Sequence, residues 1–466
     1  MKKSKVISAG IGYTIGNIFI KGINFLTVPL FSRLLTTEEF GVYNTFIAYD
    51  AILCIVMSFA LYMSIRSANI EYPGRIDEYA SSITLLYIIV GSLLLGVVFI
   101  FSNQLVTLLS FPKVVLYMLI LYSFASGIIT LYNQIISLEY NSKKYLLIAF
   151  GNSIGNIFLS LLLILTVFRN RKDLGRIIGV TLSMFGLSVL LLVSMYRKAK
   201  PKINKDYWRF GLRYSLPIVP HGVSQVLLSQ FDRIMIRSMV SASATGIYSL
   251  AGNIKLILTI INDSIVTVWQ TWFYEKMRSN EAHEIPTKAI MLAAAFGILT
   301  CGMIAISPEL IMFMGGNNYM DGKKVAIPMI VDAFIVFLYN VVVPAEYYKK
   351  KTNYIMFATL FAAILNVITN YIFILKYGYI AAAYTTLFAY ICYLAIHYYI
   401  SHKLIEFYII PRKYLVLLLS IITLVAIFSL VFISNIIIRF TVGIVGSVWL
   451  IFLIVHQQKL SAKNGG

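Results

Sequence analysis

The chain has 466 residues, of which 59% are hydrophobic and only 12% charged, and its mean hydropathy is +0.82. So few charges cannot cover the surface of a soluble protein of this size, which excludes a water-soluble globular fold. The formal net charge of +20 invites a nucleic-acid reading, but the basic residues sit in short loops between apolar runs, a pattern of membrane topology and not of a nucleic-acid surface.

About twenty apolar residues cross a bilayer as a helix. The basic start Met1-Lys2-Lys3-Ser4-Lys5 leads into an apolar stretch with no small-residue cleavage site, so a retained first helix is expected and not a signal peptide. About fourteen spans are predicted, near 8–31, 40–62, 80–102, 114–137, 146–168, 176–196, 212–239, 246–272, 288–307, 328–345, 355–375, 379–400, 414–434 and 440–456. The connecting segments are too short for a soluble domain. The fold class expected is an all-α polytopic membrane protein.

Span 1 carries Lys21 near its middle, where a charge costs about 2.5–3.5 kcal/mol on insertion scales. Thr14, Asn17, Lys21 and Asn24 step by four, three and four positions, which places them on one helix face. Such a stripe is expected to line a wet interior; snorkelling is the competing reading for Lys21. Span 2 holds Asp50. Span 7 is more polar still: His221, Gln225, Ser229, Arg233 and Arg237 recur every four residues, Asp232 adjoins Arg233, and Arg213 lies near the start. Pro217 and Pro220 break the helix near its inner end. Interface anchoring competes for Arg237, a structural salt bridge for Asp232 with Arg233, and helix packing for His221. Span 8 carries Lys255, Thr259, Asn262 and Asp263 on one face. The cysteines Cys54, Cys301 and Cys392 all fall in apolar runs and read as buried thiols, so no disulfide frame, metal site or cofactor is expected.

The first 410 or so residues read as one design written twice. Glu139-Tyr140-Asn141-Ser142-Lys143-Lys144 returns as Glu346-Tyr347-Tyr348-Lys349-Lys350-Lys351, and Gly41-Val42-Tyr43-Asn44 returns as Gly246-Ile247-Tyr248-Ser249. Gly175 has a counterpart in Gly378. The same shift sets Lys255 opposite Asp50, so an ion pair across the two halves is expected. Six spans per unit gives both repeats the same orientation, with a pseudo-symmetry axis along the membrane normal. The domains expected are two parallel six-helix repeats forming lobes at 1–205 and 206–411, and an appendage of two extra helices at 412–466. Internal duplication in a polytopic protein points to a transporter with its substrate site between the halves.

Placing the N-terminus in the cytoplasm sets more than twice as many Lys/Arg on inner loops as on outer ones. That bias puts both termini inside. One loop disagrees, because Arg169, Arg171, Lys172 and Arg176 would face out. Within the spans Lys21, Arg213, Arg233, Arg237 and Lys255 stand against Asp50, Asp232 and Asp263. A cavity with that balance suits an anion, and arginine offers phosphate a bidentate fork.

The chain resembles the O-antigen and capsule repeat-unit flippases of the multidrug/oligosaccharidyl-lipid/polysaccharide exporter superfamily. The resemblance covers the whole chain. It rests on Pro29-Leu30-Phe31-Ser32-Arg33-Leu34-Leu35 with Phe40-Gly41-Val42-Tyr43, on Leu216-Pro217-Ile218-Val219-Pro220, and on Phe231-Asp232-Arg233-Ile234-Met235-Ile236 with Gly246-Ile247-Tyr248-Ser249. Gly378-Tyr379-Ile380-Ala381-Ala382-Ala383-Tyr384 adds a small-residue span start, with Ala382 where family members often carry Gly. It implies a two-lobed bundle in the cytoplasmic membrane with a cationic cavity, and a polyprenyl-pyrophosphate-linked oligosaccharide as substrate. Arg233 carries over as a site residue on the Asp-Arg element. Lys21 rests on the residues alone. Substrate-binding cations are then Lys21, Arg233, Arg237, Lys255 and Arg213. The polar lining is Asn17, Asn24, His221, Gln225 and Ser229, and Asp50, Asp232 and Asp263, with Asp332 beside them, are the ion-coupling candidates. A monomer is expected, with polysaccharide assembly proteins as partners.

An ion-coupled multidrug or toxin exporter of the same superfamily is the alternative; it would favour an acidic aromatic cavity and twelve spans. A polymerase or lipid-linked glycosyltransferase would show a large outer loop with carboxylates or a metal site, and the outer loops here are short. No enzyme is expected, and the absence of a nucleotide-binding motif excludes direct use of ATP.

Overall fold

Inside hydrocarbon no water reaches the backbone, so an apolar chain satisfies its amide and carbonyl groups within helices. The computed structural model describes the backbone of residues 3–464, and the side chains of 12, 16, 19–23 and 25–459. Among the described residues the regular structure is helical throughout, with no strand. In chain order the α-helices are α1 (Lys3–Leu34), α2 (Thr37–Ser58), α3 (Ile65–Glu71), α4 (Ile76–Ile100), α5 (Ser102–Leu109), α6 (Lys113–Leu138), α7 (Ser142–Thr166), α8 (Lys172–Lys198) and α9 (Lys205–Ser215). There follow α10 (Val219–Met239), α11 (Ala242–Arg278), α12 (Ile285–Gly315), α13 (Lys323–Val342), α14 (Pro344–Tyr348), α15 (Thr352–Tyr377), α16 (Ile380–Ile405), α17 (Arg412–Val431) and α18 (Ile436–Asn464).

Among the described residues, 12 helices are long and apolar enough to cross a membrane, against the fourteen or so expected. The two expected spans that do not qualify are α1 and α10, of 32 and 21 residues. α10 has the length and fails on polarity, because it carries the His221–Arg237 stripe, and much of α1 lies outside the described side chains. The span expected at 212–239 is in fact two helices. α9 stops at Ser215, a short 3₁₀ link holds Pro217, and α10 begins at Val219.

Helix boundaries follow local chemistry. Asn141, Asn204 and Ser241 cap α7, α9 and α11, each accepting a bond from a backbone N–H in the first turn. The turns before α7 and α15 are one motif used twice. Tyr140 and Lys350 sit in the left-handed region, at φ 54° and 56°. Asn141 N–H donates to the Ile136 carbonyl as Lys351 N–H does to that of Glu346, and Tyr140 to Ser137 as Lys350 to Tyr347. These are paired Schellman closures at a shift of 210. The expected pairing of Glu139 with Glu346 is therefore off by one helical turn: Glu346 matches Ile136. At one junction the offset is the expected 205: α1 and α10 end at Leu34 and Met239, and α2 and α11 start at Thr37 and Ala242.

By contacts the chain divides into two compact units, residues 1–27 with 38–238, and 28–37 with 239–466. The boundary expected at 205/206 came from the repeated motifs, and the contact grouping divides the chain elsewhere. In the first unit Tyr79, Ile83, Tyr87, Ile128 and Tyr132 centre one apolar cluster, and Phe46, Phe111, Leu119, Tyr122 and Ile177 another. In the second unit α13 is the buried axis, and Phe296 of α12 stacks on Phe337 at 4.1 Å. α18 reaches α12 through glycines: a Cβ on Gly443 would meet Ala305 at 3.1 Å, and one on Gly446 would meet Cys301 Sγ at 3.2 Å.

The outer faces are apolar. On α15, Phe357, Phe361, Ile364, Ile368 and Ile372 are exposed, while Ala358, Ala362, Asn366 and Asn370 are buried. Small and polar residues inward with apolar residues outward is the pattern of a helix facing lipid, where close backbone approach replaces the hydrophobic effect. Gly179 of α8 shows this most sharply, since a Cβ there would lie 2.6 Å from the Ser160 backbone of α7. We expect Gly179→Val to lower stability by roughly 1–3 kcal/mol, seen as a fall in the melting temperature of detergent-purified protein. Gly186→Val on the same helix, where nothing lies within 4 Å, should leave it unchanged. Equal melting of both variants would contradict the close packing of α7 on α8.

Candidate functional site

The polar stripe of α10 survives as one face. Gln225 and Ser229 are exposed, and His221, Arg233 and Arg237 are half-buried, while Ser224, Leu228, Asp232, Met235 and Ile236 pack inward. Arg233 donates to Gln230 Oε1 on its own helix. Ser229 Oγ donates back to the Gln225 carbonyl at 2.9 Å. The Nδ1 atom of His221 is shielded from solvent and has no hydrogen-bond partner among the described residues. Arg213 does not belong to this helix. It lies exposed near the end of α9, before the Pro217 break.

Arg237 does a second job. Its Nη2 donates to the Ser110 carbonyl at 2.7 Å, and its guanidinium lies 4.0 Å from the Phe111 ring centroid. Ser110 ends α5 in the left-handed region. A cation on the orphan carbonyls of a helix C-terminus is favourable. The end of α1 behaves alike: Arg33 Nη2 donates to the Phe313 carbonyl at 2.7 Å, and Ser32 Oγ to that of Met314, in the last turn of α12. Nη1 of Arg237 remains buried without a partner among the described residues.

Lys21 is exposed on α1. Asn17 and Asn24, placed beside it by sequence, lie outside the described side chains. Asp50 is half-buried, with Oδ1 shielded and unpartnered among the described residues. Asp232 is buried and Asp263 exposed.

Lys255 departs from expectation. It pairs with Asp332 of α13 and not with its repeat equivalent Asp50, and its Nζ lies 5.5 Å from the Tyr390 ring. Asn262 of the same face and Trp269 further along α11 also reach α13. Asn340 Nδ2 donates to Asn262 Oδ1 at 3.3 Å, and Trp269 Nε1 to the Val341 carbonyl at 2.9 Å. Lys255, Asn262 and Trp269 thus tie α11 to α13.

Arg176, counted by sequence as a loop charge facing out, is buried inside α8. Its Nη1 donates to Ser160 Oγ at 2.8 Å and its guanidinium lies 4.7 Å from the Tyr43 ring. Arg171 pairs with Asp173 at 3.1 Å. Two of the four charges that violated the inside bias are thus internal or neutralised.

Two further polar clusters were not anticipated. Asn366, Asn370, Thr385 and Thr386 form a buried hydrogen-bonded network between α15 and α16. His397 Nδ1 and Glu346 Oε1 lie 2.6 Å apart, both residues fully buried. The Asn spacing of four was visible in sequence; the partner of His397, 51 residues away, was not.

A buried pair is costly to break from one side. With Lys255 about a quarter exposed and Asp332 almost wholly buried, Lys255→Ala should destabilise by up to about 3 kcal/mol. The double change Lys255→Met with Asp332→Asn should recover much of the loss in thermal melting. If the single change melts like the parent, Asp332 has another counterion.

Residues 8–277 match the family described as polysaccharide biosynthesis protein. No curated protein matches the chain. Among solved structures it is similar to the lipid II flippase MurJ in an inward-closed conformation, at 17% identity and TM-score 0.74, covering 97% of this chain and 99% of that one. An inward-facing multidrug resistance MATE family transporter of the MOP superfamily gives 15% and 0.58, covering 87% and 96%. A MOP superfamily transporter from Pyrococcus furiosus gives 12% and 0.57, covering 86% and 98%. At these identities the likeness establishes the fold.

Proposed function

The chain belongs to the polysaccharide biosynthesis protein family, and from that premise we propose that it flips polyprenyl-pyrophosphate-linked oligosaccharide repeat units across the cytoplasmic membrane by alternating access. The observation that carries this reading is the family match joined to a fold shared, end to end, with a flippase of another lipid-linked precursor. The MATE and MOP transporters span nearly all of their own length but leave about 13–14% of this chain unmatched. That is about the size of segment 412–466, which holds α17 and α18. The flippase likeness extends over 97% of the chain.

Chemistry explains the need. A sugar headgroup carrying two phosphates cannot cross hydrocarbon unaided, because each unsatisfied polar group or charge costs several kcal/mol. The polyprenyl tail can stay in lipid. On this reading Lys21, Arg233 and Arg237 meet the diphosphate, and His221, Gln225 and Ser229 offer hydrogen bonds to sugar. Lys255 contributes less than sequence suggested, being held by Asp332. The lobes are the repeats 1–205 and 206–411, and both termini face the cytoplasm.

Two measurements test the proposal. Lys21→Ala and Arg233→Ala should each lower surface polysaccharide in a strain lacking its own flippase, at unchanged membrane abundance. Arg233→Lys should recover only part, since lysine keeps the charge and loses the fork. Full export by the double alanine variant would remove both residues from the substrate path, and export of cationic dyes in place of polysaccharide would favour the drug-exporter alternative. Topology reporters at Asn204 and Asn353 should read cytoplasmic and one at Asn318 external; a cytoplasmic signal at Asn318 contradicts the orientation.

A further inference from the structure

A cavity of about 480 Å³ opens in the first unit where α4 begins and α8 ends. Both helices are long and apolar enough to cross a membrane, so their ends lie where hydrocarbon gives way to headgroups. Arg75, Lys198, Lys200 and Lys202 line the cavity, against two carboxylates, Asp77 and Glu78. Lys198 is already engaged, 2.6 Å from Glu139 and 3.8 Å from Asp77. Arg75, Lys200 and Lys202 have no ion-pair partner among the described residues.

The cavity is built and not merely charged. Ser82 Oγ donates to the Lys202 carbonyl at 2.7 Å, which pins the loop carrying Lys200 and Lys202 to α4. Trp208 Nε1 donates to the Ser82 carbonyl at 3.0 Å, which pins α9 to the same point. Behind it, Tyr72, Tyr79 and Tyr207 form an aromatic base, with Tyr72 and Tyr207 ring centroids 4.7 Å apart. A basic loop that serves only as a topology signal needs charge and no fixed geometry. Ile203, between Lys202 and Asn204, is 66% exposed, and Ile70 on the adjoining α3 is 82% exposed. Cations ordered around a cavity, beside bare apolar side chains, match an amphiphile whose head is anionic.

We propose that this cavity holds the phosphate-ester headgroup of an anionic membrane lipid, apart from the transported substrate. Arg75, Lys200 and Lys202 bind the phosphate, and Ile203 and Ile70 lie against the first carbons of the chains. Basic pockets at the ends of membrane helices select such headgroups. Glu78 opposes the ligand and limits its affinity.

The test uses the purified full-length chain in neutral detergent doped with phosphatidylglycerol or phosphatidylcholine, with bound lipid counted by native mass spectrometry. Phosphatidylglycerol should bind in preference. Arg75→Ala combined with Lys202→Ala should weaken it by at least about tenfold, while Lys349→Ala with Lys350→Ala, an equal charge change on another loop, should not. Glu78→Gln should tighten binding. Equal loss in the control pair would mean a diffuse surface potential and overturn the site. Competition by millimolar glycerol 3-phosphate would mean a soluble-anion site and overturn the lipid assignment. Should the Arg75/Lys202 variant not fold, unchanged binding by Glu78→Gln would itself overturn the proposal.

Discussion

Hydrocarbon about 30 Å thick solvates no charge, and the rest of this structure depends on how that constraint is met. Each ionic group within the helices is given a protein partner or left on a face that does not pack. α11 takes the first course, matching Lys255 and Asn262 to Asp332 and Asn340 on α13. Arg176 takes it too, wrapped by a tyrosine ring and a serine hydroxyl. α10 divides between the two: Arg237 is held by the Ser110 carbonyl and the Phe111 ring, while Gln225 and Ser229 stay exposed. Exposed polar groups on a helix in hydrocarbon are expensive unless something polar meets them, which is the physical reason the proposed substrate contacts are placed on α10.

The same constraint decides how helices hold together. Lipid is as apolar as leucine, so burial of apolar side chains gives little drive for association. Close approach at Gly179, Gly443 and Gly446 supplies dispersion instead. Helix ends supply the other attachments. Arg33 and Arg237 each place a guanidinium on carbonyls at a helix C-terminus, one on α12 and one on α5. Such bonds are few, directional and close to the polar boundary.

Much of this was legible in the sequence, and the failures have physical causes. Apolar runs located the helices because length and polarity alone decide what spans a bilayer. The repeat was visible because turns and glycines keep their identity where the backbone needs a given geometry. Its register slipped at Glu346, because Glu139 and Glu346 share a letter while the Schellman turns align Glu346 with Ile136. The span at 212–239 hid a break, since Pro217 and Pro220 mark a kink and do not say that α9 separates. Partner choice was the deepest failure. Lys255 and Asp332 are 77 residues apart, and periodicity on one helix carries no information about which neighbour answers it.

The second helices of the two segments paired by sequence, α2 and α11, differ in length. α11 runs unbroken for 37 residues. At the same place in the first repeat α2 stops at Ser58, Phe59 and Ala60 adopt φ of 46° and 50°, and the short α3 follows. Left-handed non-glycine residues cost of order 1 kcal/mol each, so such a break persists only where surrounding contacts require it. Those contacts are present. Gly211 of α9 packs on Tyr79 and Leu61 beside the break, and Ser64 bonds the Tyr79 hydroxyl at 2.7 Å. The break therefore turns one long helix into a seat for α9, and α9 in turn holds the loop of Lys200 and Lys202 against α4. What stands beside this break is the cationic cavity lined by Arg75, Lys200 and Lys202.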